Sequence, residues 1–529
     1  MKKILFVFTL LLCTNFLFAQ TPTFCDDLAT IFYQNCTGCH RTGNIASFPL
    51  VTYADATASG YAIQDAVNNH RMPPWPPDPN FSRLAHERLL SPQDIQKIND
   101  WVNGGMPEGN TANLPSLPIY PVGSQIGTPD DVLLSPNYTV TVATDDFRCF
   151  VVPSGYAADQ MMKAIEFIPG NTAIVHHVLI YWDTTGTCQQ LDTQDPNPGY
   201  AGFGGVGNDA AELIGAWVPG ATPFILPDGM GINIPANADI VLQYHYAPGS
   251  NGQSDSSKIN FFYQTSAGFI RPVYFNAPLN HVDPTVLTEW PLIIPANTVK
   301  TFHEQYQLPA FDISMLGVAP HQHLIGKTIN AFGVTPTNDT IPFIAINNWD
   351  FHWQGLYQFR KVIKIPANTM LYSVATYDNT TNNYNNPSNP PQLVTAGEST
   401  LDEMMLTFFE FTIYFPGDEN IVIDNSPLVD ISSGINERQV ETENLFLYPN
   451  PATDKLITEF TIPEIGNYSF EIKDVLGRTV KLLFPERKME TGNYRFQYSI
   501  GELPSGNYLV VLNNGKNSSS SKLIISTKK

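Results

Sequence analysis

Six residues, widely separated in the chain, have types and spacing suited to metal chemistry. His176 and His177 stand side by side in Ile174-Val175-His176-His177-Val178-Leu179-Ile180, and His245 lies in Val241-Leu242-Gln243-Tyr244-His245-Tyr246. His321 and His323 flank Gln322 in Ala319-Pro320-His321-Gln322-His323-Leu324-Ile325-Gly326-Lys327, and Met404 follows Asp402-Glu403. Side chains alternate along a strand, so His-x-His in an extended run presents both imidazoles on one face. Three imidazoles bind copper well, and two imidazoles with a thioether make a softer site that tolerates Cu(I). Cu(I) can give an electron to dioxygen; zinc cannot. Any one of these histidines alone reads as structural. Six such ligands beside strand-forming runs read as a metal site.

A second constellation is local. Cys36-Thr37-Gly38-Cys39-His40 fits covalent c-type haem attachment, with two thioether links and an adjacent axial histidine. A redox or zinc CxxC has no use for the immediate histidine. Met72, in Arg71-Met72-Pro73-Pro74-Trp75-Pro76-Pro77, is the favoured second axial ligand. Proline stiffness lowers the entropy cost of holding a thioether over iron, and Met/His ligation raises the reduction potential. Met106 is the rival ligand. Arg71 is a candidate partner for a haem propionate, with a solvated arginine as the plainer alternative.

The histidine segments resemble the copper type II, ascorbate-dependent monooxygenases, the group of peptidylglycine and dopamine β-hydroxylating enzymes. The likeness covers about residues 130–415 and rests on four motifs in the family's order. These are the paired histidines, the Leu-Gln-x-His-Tyr strand, the His-x-His-x-x-Gly-Lys strand and the Asp-Glu-Met segment. Trp217-Val218-Pro219-Gly220 and Tyr377-Asp378-Asn379 look like further landmarks. The resemblance implies that His176, His177 and His245 hold an electron-storing copper. It implies that His321, His323 and Met404 hold the copper where dioxygen binds and a substrate C–H bond is broken. It also implies two β-sandwiches (jelly-roll-like), one copper on each, facing one another across an open cleft. One oxygen atom then enters the substrate and the other leaves as water. Cys149, in Asp146-Phe147-Arg148-Cys149, resembles a family disulfide position. Peptide-amidating members carry an arginine two residues before His-x-His, where this chain has Ala319. They carry an asparagine and a tyrosine two and four residues beyond the methionine, where it has Leu406 and Phe408. The anion clamp is missing, so glycine-extended peptides are not the expected substrate. The haem segment is similar to a Met-Pro-Pro-Trp module fused to bacterial relatives of this family, which implies a relay of single electrons to copper.

The elements that must position these residues follow from pattern. Residues 1–20 combine Lys2 and Lys3 with an apolar run ending at Ala19, which reads as a cleaved signal peptide too short to span a bilayer. Cys13 follows three leucines and is not a lipid-anchor site. Residues 21–118 read as a small α-helical cytochrome c-like domain. There Ser91-Pro92-Gln93-Asp94 starts a helix, Ile95, Ile98, Trp101 and Val102 share its buried face, and Gly104-Gly105 stops it. A proline-rich stretch around Leu114–Pro121 makes a linker. Residues 119–268 and 269–425 read as two β-sandwiches, from short strand runs such as Ala173–Trp182, Ile240–Tyr246 and Met405–Tyr414 between turn clusters. Residues 426–440 form a polar linker.

Residues 441–529 read as a C-terminal β-sandwich with turn signals at Pro449-Asn450-Pro451, Leu476-Gly477 and Ser505-Gly506. Tyr448-Pro449-Asn450-Pro451, Asp474-Val475-Leu476-Gly477-Arg478 and Leu503-Pro504-Ser505-Gly506-Asn507-Tyr508 look like the sorting domain of type IX secretion. This implies export through the periplasm to the surface or medium of a Bacteroidetes-like bacterium, with the type IX machinery as partner. The 529 residues carry 49 acidic and 28 basic side chains, a net charge of −21. Such a chain repels phosphate backbones, so nucleic acid is not an expected partner. Beyond the leader no apolar run is long enough to cross a membrane. In an oxidising compartment Cys149 and Cys188 are candidates for one disulfide, and Cys25 is left as a buried free thiol.

The expected function is an exported monooxygenase with two coppers and one covalent haem c. It would use dioxygen, a one-electron donor, and a small-molecule or peptide-like substrate. The alternative is a non-catalytic electron carrier, or a copper-binding surface protein.

Overall fold

The computed structural model describes residues 21–44, 46–120, 123–202, 205–265, 268–397, 399–431, 445–462, 465–474, 478–514 and 518–526. The leader at 1–20, Pro121, Glu398, most of the 426–440 linker, Val475-Leu476-Gly477 and Asn517 lie outside the described residues. Contacts divide the chain into two compact units, 1–433 and 434–529.

The first unit opens with a helical part. It comprises a π-turn at Phe24–Leu28 and helices α1 (Ala29–Asn35), α2 (Tyr53–Ala58), α3 (Gly60–Asn68) and α4 (Pro92–Asn103). Helix α4 begins as its sequence dictates. Ser91 Oγ accepts a bond from the Asp94 amide at 3.1 Å, and Pro92 occupies the first turn, where its missing N–H is no loss. Ile98, Trp101 and Val102 turn inward. Trp101 meets Phe24 and Phe32, with ring centroids 6.4 and 6.1 Å apart, in a core that also holds Leu28, Ile63 and Val67.

The segment from Trp75 to Ala85 leaves this core and packs elsewhere. Trp75 stands edge-on to Tyr357 at 5.5 Å, and Leu84 is buried in the core of the second sandwich. Asp78 and Ala85 donate backbone bonds to the carbonyls of Ala345 and Gln358. Proline makes this stretch extended. Its evident use is to tie the helical part onto a β-sheet edge.

Two β-sandwiches follow. Four of the first one's strands matter below: β1 (Asp146–Pro153), β2 (Val175–Asp183) and β3 (Asp239–Tyr246), with Glu212–Trp217 beside β2. The inner sheet runs in the order Tyr200–Ala201, β1, β3, β2, Glu212–Trp217. The facing sheet is built on Lys258–Tyr263, Gln160–Ile168 and Met230–Ile234. Ile240, Leu242, Tyr244 and Tyr246 alternate along β3 and fill the space between the sheets. The opposite face of β3 is covered as well. Val241 joins Cys149, Cys188, Tyr200 and Val206 in a small second core. The helix Thr187–Gln194, which no sequence pattern announced, supplies Cys188 to it. The bridge expected between Cys149 and Cys188 is not formed. Each thiol turns to a carbonyl instead, that of Gly205 and that of Val206, both at 3.8 Å. Cys25 is a buried free thiol.

In the second sandwich, β4 (Ile313–His321) and β5 (Leu406–Ile413) pair antiparallel between Tyr274–Asn280 and Tyr357–Ile365. The partner sheet runs Thr298–Gln307, Met370–Asn379, Gly326–Val334, Thr340–Ile346. Leu316 of β4 and Val362 reach across into the core of the first sandwich. Buried Arg271 also joins the sandwiches, meeting both carboxylate oxygens of Asp418 at 2.6 and 2.8 Å. The two sandwiches therefore share packed side chains.

The second unit is itself two sheets, Phe446–Tyr448, Lys455–Ile462, Gly492–Ser499 and Thr479–Met489, Gly466–Asp474, Gly506–Asn513, Ser518–Ile525. Leu456, Phe460, Phe470, Ile472, Val510 and Leu512 form its core. Among the described residues, no helix is long and apolar enough to cross a membrane.

Candidate metal centres

Adjacent residues in a strand point to opposite faces, so His176 and His177 cannot both reach one ion from a regular strand. The register of β2 against β3 removes the difficulty. His177 pairs with His245 and Val175 with Tyr246, so His176 is an extra residue in a bulge. The bulge re-aims its side chain. The ligand atoms of His176, His177 and His245 then lie within 4.8 Å of one another.

The nitrogens are arranged as a metal needs them. His176 Nδ1 and His177 Nδ1 are 3.2 Å apart. His245 is stacked on Phe147 at 4.3 Å, and its Nε2 is held by Asp145 at 2.6 Å. Its Nδ1 is buried with no hydrogen-bond partner. An orphaned buried ring nitrogen beside two others is costly unless something accepts its lone pair. Burial and neighbouring imidazoles depress all three basicities, His177 well below the usual histidine value and His245 to about 3. The rings are therefore neutral, the form that binds metal. The carboxylate on His245 is the outer partner that fixes a ligand's tautomer.

The second cluster forms at the end of the β4–β5 ladder. His321 is the last residue of β4, opposite Leu406, and His323 lies just beyond the strand. Alternation persists through the turn. Gln322 points inward and donates to the Thr328 carbonyl at 3.0 Å, while the two imidazoles meet edge to face at 5.1 Å. His323 Nδ1–H donates to the Asp402 carbonyl at 3.1 Å, and His321 Nδ1 is bonded to Gln354 Oε1. Each ring thus keeps Nε2 for a metal. Burial and the His323 ring lower His321 to about 3.

Glu403 fastens this cluster. Its fully buried carboxylate accepts from the amides of His323 and Ile325, each at 2.8 Å, and burial pushes it up to about 8. It binds the His-x-His turn to the segment bearing Met404, whose carbonyl is held by Tyr377 at 2.7 Å.

Both clusters open on one cavity of about 340 Å³, lined by His177, His321, His323 and Met404 with Trp217 and Gln243. One loop touches both. Phe351 faces His323 at 5.9 Å, Gln354 holds His321, and His352 lies 5.5 Å from His176 with its Nδ1 on Asp350 at 2.9 Å. Sequence reading missed Asp145, Gln354 and His352. The dense run Asp350-Phe351-His352-Trp353-Gln354 was the available signal for the latter two.

In the helical part, His40 Nδ1–H donates to the Phe48 carbonyl at 3.0 Å and leaves Nε2 free, as an axial ligand requires. Burial raises the Cys36 thiol to about 12. Met72 is 36% exposed, while Met106 packs half-buried with its sulfur against Gly60. Arg71 is paired with Asp65 at the surface. Cys39 lies beside Arg88, whose guanidinium donates to the Gly220 carbonyl at 3.1 Å, and a side chain at Gly220 would come within 3.3 Å of Cys39 Sγ. The CxxCH loop thus abuts Trp217-Val218-Pro219-Gly220, the landmark that walls the histidine cavity.

Residues 293–422, which contain His321, His323 and Met404, match the copper type II ascorbate-dependent monooxygenase C-terminal domain. The chain thus carries, over those residues, the C-terminal domain of the copper type II ascorbate-dependent monooxygenases. It is 23% identical over 260 residues to DBH-like monooxygenase protein 2 of Homo sapiens, covering 46% of this chain and 48% of that one. It is 22% identical over 286 residues to dopamine beta-hydroxylase of Bos taurus, covering 50% and 43%. The chain spans about half the length of these curated relatives. Residues 446–526 match the secretion system C-terminal sorting domain, a type IX sorting module. Asp145→Asn is expected to weaken copper binding at the His176–His177–His245 cluster by about 10–100-fold. A competition titration with a copper chelator measures this, and an unchanged affinity would contradict the assigned role.

Proposed function

We propose that this chain is an exported two-copper monooxygenase that inserts one oxygen atom of dioxygen into a C–H bond of its substrate. The observation that carries the reading is the pair of neutral imidazole clusters opening on one apolar cavity. His176, His177 and His245 would hold one copper through their mutually facing nitrogens. His321 and His323 would hold the other through Nε2, with Met404 as the soft third ligand. Bound copper supplies the one-electron chemistry that activates dioxygen, with the second oxygen atom released as water.

The chain's own residues do the rest. Asp145, Gln354 and the Asp402 carbonyl fix which ring nitrogen faces the metal. Glu403 keeps the His-x-His turn and the Met404 segment in register. Ala319, Leu406 and Phe408 line the cavity where amidating relatives carry polar groups, which supports a substrate without a terminal carboxylate.

The proposal extends to the helical part, residues 21–118, as a covalent haem domain. Cys36 and Cys39 would hold a porphyrin as thioethers, and His40 Nε2 and Met72 would be the side chains that ligate its iron. A haem there would supply single electrons at high potential. The contact of Cys39 with the Gly220 loop supports a short path to the cavity. The sorting tail, with a cleaved leader at 1–20, supports export through the periplasm and across the outer membrane.

Copper-loaded, reduced protein is expected to consume dioxygen one for one with formation of a hydroxylated product; uptake without product would overturn the catalytic reading. The Cys36→Ala, Cys39→Ala double variant is expected to keep its copper and lose most turnover with a one-electron protein donor. Full activity in that assay would rule out the relay.

A further inference from the structure

Strand β5 lines the cavity with every second residue. Leu406, Phe408 and Glu410 face it, while Thr407 and Phe409 turn into the second sandwich. Glu410 is the anomaly in that row. It is fully buried, and neither carboxyl oxygen has a hydrogen-bond partner. No lysine or arginine is among the residues lining the cavity, and the walls around it include Phe275, Leu356 and Phe224. Room for it is made across the ladder. Glu410 pairs with Gly317, where any side chain would come within 3.1 Å of Glu410 Oε2.

A buried carboxyl with both oxygens unsatisfied destabilises a fold, so native proteins rarely keep one without a use. Burial alone holds this group protonated, well above the usual carboxylate range. A neutral acid is both donor and acceptor. Its best complement in an apolar pocket is a neutral group that also donates and accepts. An ammonium head would need two charges buried where no third group shares them, a cost that pairing often fails to recover. A carboxylate head would oppose the acid oxygens.

Position adds a length. His321 pairs with Leu406, four residues along β5 from Glu410, which sets the metal cluster about 13 Å from the acid along the ladder. We infer that Glu410 is a specificity-determining residue for an elongated apolar substrate ending in a neutral hydroxyl or carboxamide, whose far end reaches the His321–His323–Met404 cluster. This rests on the monooxygenase reading for which end reacts; the binding of the head group does not.

The test is calorimetric titration of the copper-loaded full chain with 1-octanol, octylammonium and octanoate, repeated on Glu410→Leu and Glu410→Gln. The expected result is tightest binding for 1-octanol, about tenfold weaker binding in Glu410→Leu, and partial retention in Glu410→Gln. Thermal melting of Glu410→Leu keeps the test clear of misfolding: an apolar side chain there is expected to raise the melting temperature. Equal 1-octanol affinity in wild type and Glu410→Leu, or preference for octylammonium, would overturn the inference. A chain that binds 1-octanol as expected but makes no hydroxylated product would sink the catalytic reading alone.

Discussion

The structure depends on the cost of leaving a ring nitrogen buried without a partner. In both clusters one nitrogen of an imidazole is tied to an oxygen, from Asp145, Gln354 or the Asp402 carbonyl. In the first cluster His245 Nδ1 is left buried with nothing to bond, and in the second Nε2 is the ring nitrogen left over from the Nδ1 bonds. Desolvation holds His245 and His321 near 3, far below the usual value, so protonation is no relief. A soft cation is the partner that fits. The bulge at His176, the buried Glu403 and the loop 350–354 all serve to keep those nitrogens facing inward.

The packing of the two sandwiches sets both clusters on one cavity. Each cluster sits at a sheet end, and the space between becomes one apolar cavity because Leu316 and Val362 bury themselves in the first sandwich's core. The sequence resemblance implied an open cleft. Here one loop reaches both clusters, so motion of the sandwiches would be felt by His176, His321 and His323 together. The helical part is held by the same logic. Leu84 is buried in the second sandwich and half-buried Trp75 packs against its core, while Thr172 Oγ1 donates to the Gly43 carbonyl beside the CxxCH loop.

Much of this was legible in residue order. Short β-rich runs between turn clusters located β2, β3 and β5, and Ser91-Pro92 with Gly104 bounded α4 because capping chemistry is local. The ligand atoms of His176, His177 and His245 lie within 4.8 Å of one another, and His321, His323 and Met404 line one cavity. What stayed hidden is non-local. That adjacent histidines can share an ion depends on a bulge visible only in register with β3. Asp145 and Gln354 look like ordinary polar loop residues until the fold sets them against an imidazole. The Met72 segment read as a ligand-bearing loop, yet its neighbours Trp75–Leu84 serve as a strap, since a proline run is extended for either purpose. The Cys149–Cys188 bridge was inferred from compartment and count, and spacing carried no information on thiol direction.

Two separable histidine sites, each proposed to hold one copper, can be told apart by removing one imidazole from each. The most direct test is copper content of the exported full-length protein, measured for the wild type and for His245→Ala and His321→Ala. The account predicts two coppers per wild-type chain and one in each variant. A single shared copper lost in both variants, or zinc in place of copper in the wild type, would contradict it.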